Sequence, residues 1–109
     1  MVDHELDELK REFLAEADEK VREMQNALTG RGPESLERLG YLAHQLKGSG
    51  GSYGYQRISA DAAEIEKAIE SVDDGAGLDS NAEQKIQLHV GNLRTEIETR
   101  VRELSAQVP

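Results

Sequence analysis

Residues 3–28 read DHELDELKREFLAEADEKVREMQNAL, and this stretch decides the class of fold. Its apolar residues recur at steps of three and four, the spacing that places side chains on one face of an α-helix. Charged residues fill most of the remaining positions, so the stretch is predicted to form one long amphipathic helix. The predicted apolar face consists of Leu6, Leu9, Phe13, Ala17, Val21, Met24 and Leu28.

A second helical segment follows a stop signal at residues 29–33 (TGRGP). The two glycines allow left-handed backbone dihedrals, and proline is favoured in the first turn of a helix. The second helix is therefore predicted to begin at Pro33 or Glu34 and to enter the glycine-rich residues 48–54 (GSGGSYG). The sequence leaves open whether this helix continues past Gly48. Its apolar face contains Leu36, Leu39, Ala43 and Leu46.

Two further helices complete the predicted secondary structure. The third spans residues 56–72 and ends at the turn formed by residues 73–77 (DDGAG). The fourth begins near Asp79 or Ser80, because either side chain can cap the first free amides of a helix. The two apolar faces contain Ile58, Ala62, Ile65, Ile69 and Val72 in the third helix, and Ile86, Val90, Leu93, Ile97, Val101 and Leu104 in the fourth.

The four segments together predict an all-α fold. No stretch of any length alternates with period two, so no strand is expected. Four amphipathic helices with short connections bury their apolar faces most simply as an antiparallel four-helix bundle with up-down-up-down topology. We therefore expect residues 1–109 to form a single domain, without internal repeats or inter-domain linkers.

The composition restricts the possible partners. The chain has 22 Asp and Glu against 13 Lys and Arg, a formal net charge of −9. This charge repels nucleic-acid phosphates and anionic lipid headgroups, and three tyrosines and one phenylalanine are too few for a base-stacking platform. There is no cysteine, no apolar run long enough to span a membrane, and the start of the chain is acidic, unlike a signal peptide. We expect a cytoplasmic monomer that binds neither nucleic acid nor membranes.

One residue of the second helix has no structural explanation. His44 points away from the apolar face, and Gly40, Gly48 and Gly51 lie within about 40° of it at about 100° per residue. Each glycine costs a helix interior roughly 1 kcal/mol relative to alanine, so their presence requires a reason. A partner that must bring an atom into contact with the imidazole would supply that reason. Lys47 lies on the same face and can hold a positive charge beside an anion on the ring.

The residues around His44 carry a resemblance to a known family. Residues 43–49 (AHQLKGS) resemble the signature of histidine-containing phosphotransfer (Hpt) domains, which reads His, any residue, Leu, Lys, Gly and then small residues. Gly54 matches the glycine that closes this signature. Residues 53–55 (YGY) look like the aromatic-Gly-aromatic turn of the family, and Ile65-Glu66 occupies the place of its Leu-Glu pair. The length and the number of helices agree over almost the whole chain.

The resemblance implies a function in a phosphorelay of two-component signal transduction. His44 would accept a phosphoryl group from an aspartyl phosphate on a response-regulator receiver domain, through Nε2, and pass it to another receiver. Lys47 would stabilise the phosphoryl charge, Gly48 would keep access open for the receiver, and Glu66 would hydrogen-bond to the imidazole. A hybrid histidine kinase is an expected partner. The protein would be a phosphocarrier and not an enzyme, without an ATP site or cofactor of its own, and Mg²⁺ is expected on the receiver.

Two alternatives stay open. The chain could be a phosphoacceptor domain excised from a larger hybrid or chemotaxis-type histidine kinase, which would also use His44. It could instead be a plain helical interaction bundle, in which His44 is an incidental surface residue followed by an ordinary helix cap and loop.

Other candidate sites are weaker. The glycine-rich residues 48–54 satisfy neither the P-loop nor the dinucleotide-binding pattern. Residues 73–79 lack the ligand spacing of a calcium loop. His4 and His89 have no ligands at metal-binding spacing in the sequence, so both are interpreted as ordinary surface or boundary histidines.

Overall fold

A computed structural model describes residues 4–30, 33–72 and 79–106 of the chain. Within these ranges the protein consists of four α-helices and contains no strand: α1 (His4–Gly30), α2 (Pro33–Ser52), α3 (Gln56–Glu70) and α4 (Ser80–Ala106). The prediction of an all-α fold with four helices is confirmed. Across the described ranges, no helix has the length and apolar character needed to cross a membrane. The predicted turn at residues 73–77 and part of the stop signal, residues 31–32, lie outside the described residues.

The helix boundaries follow local signals in the sequence. α2 begins at Pro33 and continues past Gly48 for another turn, which answers the question that the glycine-rich run left open. At the start of α4, Asp79 is the cap, because its Oδ1 accepts a hydrogen bond of 2.7 Å from the amide of Ala82. α3 ends at Glu70, two residues earlier than predicted.

The end of α2 is a Schellman motif. Gly54 has a φ of +82°, in the left-handed region that glycine enters without a Cβ penalty. Its amide donates to the carbonyl of Gly51 at 3.1 Å, and the amide of Tyr55 donates to the carbonyl of Gly50 at 2.8 Å. The chain therefore reverses within a few residues and leads directly into α3.

Three aromatic residues hold this reversal against the first helix. Tyr53 and Tyr55, which flank the turn glycine, both stack on Phe13 of α1, with ring centroids 5.0 and 5.7 Å apart. Such stacked pairs stabilise a contact by about 0.5–1.5 kcal/mol beyond the area that they bury. The connection between α2 and α3 is thereby fixed against α1.

The core contains buried apolar side chains from all four helices, and most members of the predicted faces are among them. Leu14 is fully buried although it lies outside the predicted face of α1. In contrast, Leu6, Leu9 and Val101 were expected in the core and are exposed. For Leu6 and Leu9, near the start of α1, the physical reason is helix length: at about 1.5 Å per residue, α1 is longer than α2 and α3, so its first turns have fewer helices to pack against. Val101 is exposed although Leu104, closer to the end of α4, is buried, so Val101 lies at the edge of the apolar face of α4.

α2 and α3 are in close contact at Gly50, which is buried. A Cβ atom at this position would lie 3.1 Å from the amide nitrogen of Ser59 and 3.2 Å from Cγ2 of Ile58. Ser59 also donates a hydrogen bond of 2.8 Å from its hydroxyl to the carbonyl of Lys47. A side chain at this position would force the neighbouring atoms of α3 to move by a few tenths of an ångström, so the glycine favours the close approach of the two helices.

Candidate functional site

His44 projects from the outer face of α2, and its side chain is 68% exposed. The residues Ala43 and Leu46, on either side in the sequence, are fully buried in the core. Burial of these neighbours turns the intervening position of the helix toward solvent. The imidazole is therefore held on the surface by the packing of its own helix.

The ring of His44 contacts a carboxylate from the next helix. Its Nδ1 lies 2.8 Å from Oε2 of Glu66 on α3, and the side chain of Glu66 is only 18% exposed. Because an ionised carboxylate can only accept hydrogen bonds, the proton of the neutral ring belongs on Nδ1. The other nitrogen, Nε2, then has a free lone pair and faces away from Glu66 across the ring. In this arrangement Nε2 is the ring nitrogen that can act as a nucleophile.

Lys47 contacts the same carboxylate. Its Nζ donates to Oε1 of Glu66, so the two oxygens of Glu66 serve two different donors. The hydrogen bond from Lys47 is the main reason that the pKa of Glu66 lies below its ordinary value of 4.5, and the bond from His44 adds to the effect, whereas partial desolvation opposes it. The sequence predicted that Lys47 contacts the phosphoryl group and that Glu66 contacts the imidazole. It did not predict the direct pair between Lys47 and Glu66.

The glycines near His44 leave unequal amounts of space. A Cβ atom added at Gly48 would meet nothing within 4 Å. At Gly51 and Gly40 it would make ordinary contacts with α3 side chains, at 3.7 and 3.8 Å. The bare part of the surface is therefore centred on Gly48, one helical turn from the imidazole.

A second histidine has a carboxylate partner that the sequence did not reveal. Nδ1 of His89 lies 2.8 Å from Oδ1 of Asp61, and the side-chain amide of Asn92 donates to the same oxygen at 3.3 Å. The ring of His89 is half-buried, whereas that of His44 is mostly exposed. In the described part of the chain, no three His, Asp or Glu side chains group closely enough to hold a metal ion. The side chain of His4 lies outside the described part.

Comparison with known protein families gives one match. Residues 8–107, nearly the whole chain, match the Hpt domain. No curated protein and no solved structure gives a match. Hpt domains are phosphocarriers that act through histidine phosphotransfer in phosphorelays, and they typically interact with receiver domains. Because the match covers almost all of its residues, this chain belongs to the Hpt domain family.

Proposed function

We propose that this protein is a histidine phosphocarrier in which His44 accepts a phosphoryl group from the aspartyl phosphate of a receiver domain and passes it to another receiver. The observation that carries the proposal is the contact of 2.8 Å between Nδ1 of His44 and Glu66, on a ring whose other side is open to solvent. Membership of the Hpt family supports the reaction class, and this contact, together with the greater exposure of the ring of His44 than that of His89, supports His44 as the acceptor.

The proposed transfer needs no general base, because the attacking nitrogen carries no proton. The lone pair on Nε2 of His44 attacks the phosphorus, the P–N bond forms, and the P–O bond to the receiver aspartate breaks, so that the aspartate leaves as a carboxylate. The ring keeps its proton on Nδ1 and becomes a phosphorylated imidazolium. Glu66 is already bonded to that proton and stabilises the positive charge as it develops, because a carboxylate on Nδ1–H favours the charged ring. Transfer to a second receiver reverses these steps: the P–N bond breaks and a P–O bond to the aspartate of the second receiver forms.

Lys47 provides a positive charge for the phosphoryl group. In a transferring phosphoryl group the charge spreads over its outer oxygens, so that positioning and cations supply most of the catalysis. Lys47 lies one turn along α2 from His44. Its side chain is flexible, so its ammonium group can leave Glu66 and donate to a phosphoryl oxygen instead. We expect the Mg²⁺ of the reaction to be held by the receiver.

Gly48 gives the receiver access. The space above it is empty, so the surface that surrounds the receiver aspartate can come down onto the backbone of α2 beside the imidazole. A larger side chain at this position would fill the volume that the receiver must enter.

We also infer that the four helices run up-down-up-down. An early residue of α1, Arg11, bonds to the carbonyl of Leu104 near the end of α4. Late in α1, Glu23 pairs with Arg38, which is early in α2. Each helix packs against the next one in the chain, and α1 packs against α4. These contacts favour alternating directions around a closed bundle.

Phosphorylation of defined histidine variants tests the proposal. We expect the wild-type protein, incubated with a phosphorylated receiver and Mg²⁺, to gain one acid-labile phosphoryl group by intact mass, and the His44→Gln variant to gain none. His89→Gln is the matched control, because its ring also has Nδ1 on a carboxylate but is half-buried, and it should be phosphorylated normally. Phosphorylation of the His44→Gln variant, or none of the wild type by any of a broad panel of receivers, contradicts the proposal.

A further inference from the structure

One aromatic residue next to the site is exposed and does not belong to the core. The chain has four aromatic residues, and Phe13, Tyr53 and Tyr55 form the stack that holds the turn after α2. The fourth, Tyr41, lies outside the core and is 52% exposed. It stands on α2 three residues before His44, which places the two side chains on neighbouring turns of the same helix.

Tyr41 is held in place although it is exposed. The guanidinium of Arg38 lies over its ring, 5.3 Å from the centroid, and the side-chain amide of Gln45 donates to its hydroxyl at 2.8 Å. Arg38 is itself fixed by two hydrogen bonds to Glu23 of α1, one of them 3.1 Å long. The ring is therefore positioned by two side chains of its own helix, one of which is tied to α1, and less side-chain freedom remains to be lost when a partner covers it.

A partner that reaches His44 must also cover Tyr41. Side chains one helical turn apart have Cβ atoms about 5–6 Å from each other. A specific interface buries about 800 Å² on each side, equivalent to a disc of about 16 Å radius. A receiver that centres its phosphorylated aspartate on His44 thus places its surface over Tyr41 and over the space above Gly48. Tyrosine and arginine are also among the residues that are enriched at the energetic centres of interfaces.

We propose that Tyr41, positioned by Arg38 and Gln45, is an aromatic anchor for the receiver domain and contributes to the choice of receiver. This inference rests on the proposed function of His44. Tyr41 acts in binding and not in the chemistry, because Lys47 and Glu66, which contact each other beside the imidazole, already provide the charged groups around the ring. The receiver side of the contact is expected to be an apolar depression that accepts a phenol ring next to the phosphorylated aspartate.

Single-turnover transfer at varied concentrations of phosphorylated receiver tests the inference. We expect the Tyr41→Ala variant to raise the half-saturating receiver concentration by about tenfold, with an unchanged rate at saturation. Tyr41→Phe keeps the ring and should stay within about threefold of the wild type. Leu88→Ala is the control: Leu88 is another large exposed apolar residue, it lies on α4, and its removal should have no effect.

The outcomes separate this inference from the proposed function. If the wild type transfers normally and Tyr41→Ala has the same half-saturating concentration as Leu88→Ala, Tyr41 is not an anchor, and His44 keeps its proposed role. A fall only in the rate at saturation would also overturn the inference, since it would place Tyr41 in the chemistry. If the wild type is not phosphorylated on His44, both proposals are wrong.

Discussion

At the scale of single residues, the site depends on one carboxylate. Glu66 accepts a hydrogen bond from the imidazole of His44 on one oxygen and from Lys47 on the other. The first contact fixes which ring nitrogen carries the proton, and the second keeps a cation beside the ring. Loss of Glu66 would therefore disturb both the imidazole and Lys47, although no covalent bond to Glu66 forms or breaks in the proposed transfer.

The lowered pKa of Glu66 predicts how stability depends on pH. A carboxyl group whose pKa is lower in the folded state stabilises the fold fully above its ordinary value, here 4.5, and loses this effect as the pH falls through the folded value. At neutral pH we expect Glu66→Gln to lower the free energy of unfolding by about 1 kcal/mol. In urea titrations, the difference from the wild type should shrink as the pH falls below 4.5.

Glu23 is the matched control for this titration. Its pKa is also lowered, by the hydrogen bond from Arg38, so the wild type loses stability in acid for more than one reason. The difference in the free energy of unfolding between the wild type and Glu66→Gln reports the contribution of Glu66 alone. The same difference for Glu23→Gln reports the contribution of the surface pair between Glu23 and Arg38. If the difference in the free energy of unfolding between the wild type and Glu66→Gln is constant from about pH 7 to about pH 3, the pKa of Glu66 is not lowered by folding, and the prediction is wrong.

Sequence reasoning predicts individual residues of this site better than their contacts. The exposed position of His44 follows from the spacing of apolar residues in its own helix, which is a local property. The pair between Lys47 and Glu66 joins two helices, and so does the pair between His89 and Asp61. Such contacts depend on the rotation and offset of one helix against another, which a pattern within one segment does not specify.

At the scale of helices, α2 has two kinds of glycine. Gly50 is buried against the first turn of α3, where a Cβ atom would be 3.1 Å from a backbone nitrogen. Gly48 is exposed and has no atom near its missing Cβ. The composition of the run alone does not distinguish them, because both occur within three residues of one glycine-rich helix end.

This distinction predicts opposite effects of the same substitution. Gly48→Ala should raise the free energy of unfolding by about 0.5–1 kcal/mol, since alanine is the better helix former and the space is open. Gly50→Ala should lower it by roughly 1 kcal/mol or more, because the backbone of α3 would have to move and is tied to α2 by Ser59. Urea unfolding of the two variants measures both values. Equal stabilisation by both would show that α2 and α3 are not in close contact here.

The apolar faces of the helices were predicted well in the middle of the bundle and poorly at the start of α1. Leu39, Ile65 and Leu93 are fully buried, as their spacing predicts. Leu6 and Leu9 continue the same spacing and are exposed. Periodicity shows which side of a helix is apolar, but the length over which that side is covered depends on the lengths of the other helices.

At the scale of the whole molecule, the proposed site occupies only one side of the bundle. His44, Lys47 and Gly48 are on α2, and Glu66 is on α3, while α4 packs against α1 and α3. We propose that a receiver approaches along α2 and leaves α4 uncovered. On this route, the receiver reaches His44 across the surface that Gly48 leaves open.

The most direct test of this claim compares two glycine-to-leucine variants by the initial rate of transfer from a phosphorylated receiver. Gly48→Leu and Gly91→Leu make the same change in helix propensity at positions where a Cβ meets nothing within 4 Å, but Gly91 lies on α4. We predict that Gly48→Leu slows transfer by about tenfold or more, while Gly91→Leu stays within about twofold of the wild type. Transfer at the wild-type rate by a folded Gly48→Leu variant would contradict the account.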